Sequence, residues 1–484
     1  MFEALCKGLL RNGHRIDMIS HFPSAAPISN YTDVIDLTGT RDHVVNSFSI
    51  DHGTSLQKSM TYNIATEFGG DLCHLMGHET MQKFIENPPN DPPYDLVITE
   101  YLGAVCYLGF GHLLRVPVAI ASSFLQVPCI HDFMGNNHNY AFFSGAYNEG
   151  ATLVTFPDRL WNFLSNFMEM QLFYYYTSDQ TKVMRKYLGQ DVPDVRELER
   201  TVALALVNGH HSVNGVRPIT PAIVDVGGLH VEFDHSELTR DLKIWLDSAN
   251  DGVVYFTFGS LTNIETLPRD TLLDLYASFA KVTPVKVLMR CANASKLPPG
   301  LPSNVLIKPW FPQVPILGHK NTRVFITHGG LMGVQEALYY GVPLIGIPIF
   351  SDQMRNINIF VEKNVAIAIN LNNLTKNSMD AALNAILNDP KYKEAAQKAS
   401  RSFRDRPMSA MDTAIYWIEY VIRNGPESLR SPMIGIPWWK RNLIDVLGFI
   451  VSYLVLCVYV SRIFFKASIR KLYGSTHQAK KKLN

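Results

Sequence analysis

Apolar residues along the second half of the chain come in short unbroken runs, and longer mixed segments with helical spacing mostly separate them. Val253 to Phe258, Lys286 to Arg290, Val305 to Lys308, Arg323 to Thr327, Val342 to Ile347 and Ala366 to Ile369 read as strands. Short strands apolar on both faces, alternating with helices, predict a parallel sheet covered on both sides, a Rossmann-like half. The first half alternates more loosely. Strands are expected at Arg15 to Ser20, Asp95 to Thr99, Val116 to Ser122, Ala203 to Val207 and Ile223 to Val226, with an amphipathic helix over the first eleven residues. Charged residues between Val231 and Leu242, among them Glu232, Asp234, His235 and Glu237, read as the join between two domains. Residues 128–200 are rich in Phe, Tyr, Trp and Met. Plain core is the favoured reading there, ahead of an acceptor pocket or a membrane-facing surface.

A third pattern lies near the end. Val446 to Ser461 is almost continuously apolar, and Leu443 to Phe465 is long enough to span a bilayer with Asp445 at one interface. Seven Lys or Arg and no acid follow from Arg462 onward, which predicts a cytoplasmic tail and a lumenal body. Trp438 and Trp439 suit an aromatic anchor at the lumenal interface. The last four residues, Lys481-Lys482-Leu483-Asn484, resemble a di-lysine retrieval signal of the endoplasmic reticulum, and a merely basic tail looks much the same.

Composition narrows the functional classes. A chain of 484 residues exceeds one ordinary core, and 47% hydrophobic with 18% charged residues excludes a disordered protein. A net charge of +1 gives no footing for a nucleic-acid partner. Six cysteines, at positions 6, 73, 106, 129, 291 and 457, have no metal-ligand spacing. Buried free thiols are the default expectation, with at most one or two disulfides. Lumenal placement makes Asn30, Asn293 and Asn373 candidate glycosylation acceptors.

The chemistry concentrates between Trp310 and Gln353. Arg323 to Thr327 leads into the turn His328-Gly329-Gly330 and then a helix from Leu331 to Tyr340, so unpaired N–H groups and a positive dipole end face a ligand, as a diphosphate requires. Ser351 or Asp352 is expected to cap the next helix, leaving Asp352 and Gln353 at the carboxyl edge of the sheet.

Together with Asn30-Tyr-Thr-Asp33, Val226-Gly-Gly-Leu229 and Phe258-Gly-Ser260, this segment resembles the signature of the UDP-glucuronosyltransferase family of membrane-bound UDP-glycosyltransferases. The resemblance spans nearly the whole chain. It implies an α/β protein of GT-B type, two Rossmann-like domains facing across a cleft, plus one carboxy-terminal transmembrane helix. The expected division is 1–235 for the acceptor-binding domain, 236–437 for the UDP-sugar-binding domain, 443–465 for the span and 466–484 for the tail. By the same resemblance Trp310 stacks on uracil beside Gln313, while Ser260, His328 and Gly330 hold phosphate. Glu336 accepts from the ribose hydroxyls, and Asp352 and Gln353 bind the donor sugar. The residues alone leave alternatives: a packed Trp310, an exposed helical Glu336, a capping Asp352. Leu331-Met332-Gly333 departs from relatives with Asn or Ser after the glycines, and Met289 replaces an expected Trp, a change assigned to packing.

The implied reaction is inverting hexosyl transfer from UDP-glucose or UDP-glucuronate to a hydroxyl of a small lipophilic acceptor, for conjugation and detoxification. UDP-sugar is a co-substrate, and neither cofactor nor metal is expected. Expected partners are donor, acceptor and membrane, with no nucleic acid and an assembly of like or unlike chains left open. The expected location is the endoplasmic reticulum membrane. In the family a histidine takes the acceptor's proton. The resemblance places that histidine, the signal peptide and the first strand upstream of Met1, and His14 reads as a surface or capping residue. Glu100, at a strand end, is the candidate catalytic carboxylate that orients such a histidine. The alternative is a catalytically silent UDP-sugar-binding membrane protein modulating an active partner. A third, weaker reading is a sterol- or lipid-directed sugar transferase.

Overall fold

The computed structural model describes residues 1–41, 45–89, 91–124, 128–136, 139–141, 143, 153–232 and 236–481. It divides into a body, Met1–Ser431, and a separate carboxy-terminal unit, Pro432–Asn484. The body contains two larger parallel sheets, the architecture expected from the alternating runs. In the first half, β1 (Ile16–Ser20) pairs in parallel with β2 (Tyr31–Asp36) as a two-stranded sheet. The four strands β3 (Val97–Glu100), β4 (Val118–Ser122), β5 (Leu204–Val207) and β6 (Ile223–Asp225) lie side by side in sequence order.

The second half forms a six-stranded sheet from β7 (Val253–Thr257), β8 (Lys286–Arg290), β9 (Val305–Lys308), β10 (Thr322–Thr327), β11 (Leu344–Gly346) and β12 (Ala366–Ala368). Their order is β12-β11-β10-β7-β8-β9, so the order reverses between β10 and β7. That reversal is a topological switch point, where open α/β sheets leave a crevice beyond the strands' carboxyl ends. β7 is buried at every position, and Met289 of β8 is fully buried, consistent with a packing role for that residue.

One helix departs from chain order. Ala410–Asn424 follows the second sheet in sequence, yet its buried face packs with the first helix, Phe2–Arg11, and against β5 and β6. Met411 meets Gly8 so closely that a Cβ there would lie 2.2 Å from the Met411 Sδ. His14 pairs with Glu419 of the same helix at 3.2 Å, a part-buried contact rather than a cap.

The cysteines fall within the expected range, and one expectation is corrected. Cys73 and Cys106 form one disulfide inside the first core, while Cys129 and Cys291 stay buried and free. The pair lies 33 residues apart, and tertiary packing rather than sequence spacing brings it together. Residues 160–168 are not core. They belong to the 22-residue helix Phe156–Thr177, whose buried positions are Asn162, Asn166, Phe173 and Thr177 while most of its apolar side chains face outward. Asn162 turns inward because its amide donates to the carbonyls of Tyr140 and Phe143, both at 2.8 Å.

In the second unit, Ile444–Lys481 is one continuous helix. Its stretch Ile444–Lys471 is long and apolar enough to cross a membrane, somewhat longer than the expected 443–465. Of the di-lysine tail, 482–484 lie outside the described residues, as do 233–235 of the charged join.

Candidate functional site

Every donor-site residue expected from the sequence lies beyond the carboxyl end of a strand of the second sheet or on the helix that follows one. Ser260 follows β7, Trp310 follows β9, His328 follows β10, and Asp352 follows β11 after a short loop. Neighbouring parallel strands end together, so residues distant in sequence gather along one edge.

Trp310 is 60% exposed, with the Arg290 guanidinium 5.2 Å from its ring centre. It is therefore not a packed core tryptophan; an open indole face is what stacking on a base requires. Arg290 also donates to the Gly259 carbonyl and to Asn46 Oδ1. Asn46 comes from the first half of the chain, and its carbonyl accepts from Asn263 Nδ2 at 2.8 Å. Ser260 is exposed beside this junction.

The turn after β10 is built around His328. Gly329 has φ +90°, a conformation that glycine adopts without steric cost. A Cβ on Gly330 would lie 2.7 Å from His328 Nε2, and one on Gly259 would lie 2.7 Å from its Cε1. The imidazole thus occupies a slot between two glycines. Burial pushes its pKa down to about 4, so the ring is neutral at physiological pH and carries one N–H donor. Gly330 is the N-cap of the helix Leu331–Tyr340. The free N–H groups of that first turn point along the helix axis toward the crevice.

Glu336 is buried rather than exposed, and it is engaged. Its Oε1 meets His230 Nε2 at 3.0 Å, and its Oε2 accepts from Gln313 Nε2 at 2.6 Å. Asp352 is the N-cap position of Gln353–Glu362, but its side chain makes no capping bond. Its Oδ2 instead accepts from Asn356 Nδ2 at 2.9 Å, and the same amide donates to the Gly329 carbonyl at 3.0 Å. The expected cap is corrected to this reason: Asn356, one turn on, takes the carboxylate and ties it to the glycine turn. Burial raises the Asp352 pKa, opposed by the Asn356 bond. Gln353 Oε1 accepts from the backbone of Ile349 and Phe350 at 2.8 and 3.0 Å, which locks the loop after β11 and leaves the amide nitrogen for a ligand.

Glu100 ends β3 in the other half. The residue is exposed at the sheet edge and accepts from Ser123 Oγ at 3.3 Å, while desolvation by the protein around its carboxyl pushes it above the ordinary range, opposed by that bond.

Residues 31–481 match the family profile described as "UDP-glucoronosyl and UDP-glucosyl transferase". The chain belongs to this family. Among its relatives is UDP-glucosyltransferase 2 of Dactylopius coccus, 33% identical over 100% of this chain and 93% of that protein. Human UDP-glucuronosyltransferase 1A6 is 28% identical over 80% of this chain and 70% of its own length. Two solved structures share the fold, at 16% and 17% identity. They are glycosyltransferase VinC in complex with DTDP, with TM-score 0.55 over 87% of this chain and 95% of that one, and the kitacinnamycin glycotransferase, with TM-score 0.52 over 86% and 94%. The fold is GT-B.

Three residues of this UDP-glycosyltransferase escaped the sequence reading. Arg290 ends β8 at the same sheet edge as the donor residues, a position that strand assignment alone singles out. Asn356 lies one helical turn beyond Asp352, the spacing at which side chains meet. His230 follows Val226-Gly-Gly-Leu229, but nothing local signals its contact with Glu336, 106 residues away.

Proposed function

We propose that this glycosyltransferase moves glucose or glucuronate from its UDP conjugate to a hydroxyl of a small lipophilic acceptor, with inversion at the anomeric carbon. The acceptor oxygen forms the new bond to C1 as the bond from C1 to the β-phosphate oxygen breaks. UDP leaves with the electron pair, and a general base takes the acceptor's proton. The observation carrying the reading is the single edge that gathers the open Trp310 face, the His328 slot at a helix N-terminus, and the buried Asp352 and Gln353. These roles supply stacking, neutral and backbone N–H donors for a diphosphate, and a carboxylate with an amide for sugar hydroxyls. Glu336 is proposed to exchange one of its present contacts for the ribose. Arg290, beside Trp310, adds positive charge without a metal, and we propose that none is used. Glu100 is proposed to orient the base.

Ile444–Lys471, among the described residues the one helix long and apolar enough to cross a membrane, supports anchoring in the endoplasmic reticulum membrane, and the Cys73–Cys106 disulfide suits an oxidising lumen. Conjugation of lipophilic, foreign compounds fits a body tethered where such acceptors partition.

The second reading is a chain that binds UDP-sugars at the same sheet edge without transferring them, as a modulator of an active partner, since an intact donor site serves both. Full-length protein in microsomes, offered UDP-glucose, UDP-glucuronate and UDP-N-acetylglucosamine with a phenolic acceptor panel, separates the two. Turnover with either of the first two donors is expected. Inactivity with all three, while UDP still binds, overturns the enzyme reading in favour of the silent one.

A further inference from the structure

Arg355 lies on the first turn of the helix Gln353–Glu362, two residues beyond Gln353 and three beyond Asp352. It is only 5% exposed, and its Nε and Nη1 are enclosed without a hydrogen-bond partner among the described residues. A guanidinium keeps its charge at physiological pH, and arginine is seldom buried this far without a paired acid. Asp352 supplies negative charge nearby, but its Oδ2 accepts from Asn356 rather than from Arg355. A buried charge held in this way is costly unless a bound group completes it.

The surroundings add to the positive charge. The helix runs against the first half of the chain, where Lys363, its C-cap, donates to the Ser212 carbonyl. Five residues beyond Ser212, Arg217 donates from Nε to the Asn214 carbonyl at 3.2 Å and holds its guanidinium 3.7 Å from the Phe143 ring centre. Burial and the charge of Arg355 push the Arg217 pKa down to about 9, partly offset by Asp225. Two cations thus share one region between the halves, beside the carboxylate and amide proposed for the donor sugar. The diphosphate has its own donors at His328 and at the N-terminus of the helix Leu331–Tyr340. The anion that Arg355 lacks therefore belongs on the sugar side.

We propose that Arg355 is the counter-ion of a carboxylate on the donor sugar, so that the site selects UDP-glucuronate over UDP-glucose. Glucuronate carries a carboxylate at C6 where glucose has a hydroxyl. The planar guanidinium matches that carboxylate in charge and shape, whereas a neutral hydroxyl leaves the buried charge uncompensated. The inference rests on the proposed donor site and narrows its substrate.

The test is calorimetry on the full-length protein in detergent micelles, titrated with UDP, UDP-glucose and UDP-glucuronate. The wild-type protein should bind UDP-glucuronate at least about tenfold more tightly than UDP-glucose. Arg355→Met should cost UDP-glucuronate about 30-fold in affinity and UDP-glucose several-fold less, which erases the preference. Arg355→Lys keeps the charge without the fork and should retain part of it. Equal wild-type affinity for the two sugars overturns the proposal, and this comparison needs no variant. An equal loss for UDP, UDP-glucose and UDP-glucuronate in Arg355→Met also overturns it, since Arg355 would then serve the diphosphate or the fold. Failure of UDP itself to bind the wild-type protein sinks the donor-site reading, whereas UDP binding without discrimination between the sugars sinks this inference alone.

Discussion

Asp352 shows how a buried carboxylate is kept ready for a ligand. Burial raises its pKa, and one amide donor, Asn356, satisfies one of its oxygens. The other oxygen is proposed to meet a sugar hydroxyl, so Asp352→Ala should lower transfer by about 100-fold or more while UDP affinity stays within about threefold. Single-turnover kinetics beside calorimetry with UDP read the two effects, and unchanged turnover would remove Asp352 from the sugar contacts. Gly330→Ala acts on the phosphate side. Its methyl would stand 2.7 Å from His328 Nε2 and drive the ring from its slot, so UDP binding should weaken by about tenfold in a folded protein. His328 also gives a pH signature. Its folded pKa of about 4 is below the ordinary 6.5, so the unfolded chain takes up a proton that the folded chain refuses. Its contribution to stability is complete above about pH 6.5 and is lost as pH falls toward 4. His328→Gln should flatten the acid limb of denaturant midpoints across that window, and an equally steep limb would refute the assignment. None of these environments was legible in the sequence. His328, Gly330 and Asp352 were picked out by type and spacing, but not that one is wedged, one closely abutted and one held by its neighbour a turn away.

At the scale of elements, apolar runs located all six strands of the second sheet within two residues at each end, because buried parallel strands carry little else. The turn and helix after β10 were equally plain. β2 was missed: Tyr31-Thr-Asp-Val-Ile-Asp36 alternates weakly, is only half-buried, and pairs with a single neighbour. The Phe156–Thr177 helix was misread as core because composition reports how apolar a segment is and not which way it faces. Contacts between halves were also invisible. Gln335, fully buried on the helix Leu331–Tyr340, accepts from the Gly228 backbone at 3.0 Å and donates to the Asn208 carbonyl at 3.0 Å. A buried amide serving two backbone groups leaves both unsatisfied when removed, at about 1–3 kcal/mol each. Gln335→Ala should therefore lower the thermal midpoint by several degrees and weaken UDP binding through the shifted helix. A melting curve identical to wild type would show that water replaces both bonds.

Within the body, packing departs from chain order at one helix. The expected lobes 1–235 and 236–437 assign Ala410–Asn424 to the donor lobe, but that helix buries Ala410, Met411, Ala414, Ile415, Ile418 and Val421 in a core shared with β5, β6 and the first helix. A fragment of residues 236–437 would carry this apolar face into water, losing on the order of 1.5–3 kcal/mol for each large side chain exposed. A fragment ending at 408 would not, and it keeps all six strands, the glycine turn, Trp310, Asp352 and Gln353. The 236–408 fragment should therefore stay monomeric and bind UDP, while 236–437 aggregates; sedimentation and calorimetry with UDP distinguish them. If 236–437 proves the better behaved, the helix belongs to the donor lobe and its packing on the first sheet contributes little. If 236–408 folds yet takes up no UDP, the single sheet edge on which the donor-site assignment rests does not hold the nucleotide unaided. Binding must then draw on Asn46 and the rest of the first half, the segment that Arg290 and Asn263 already grip.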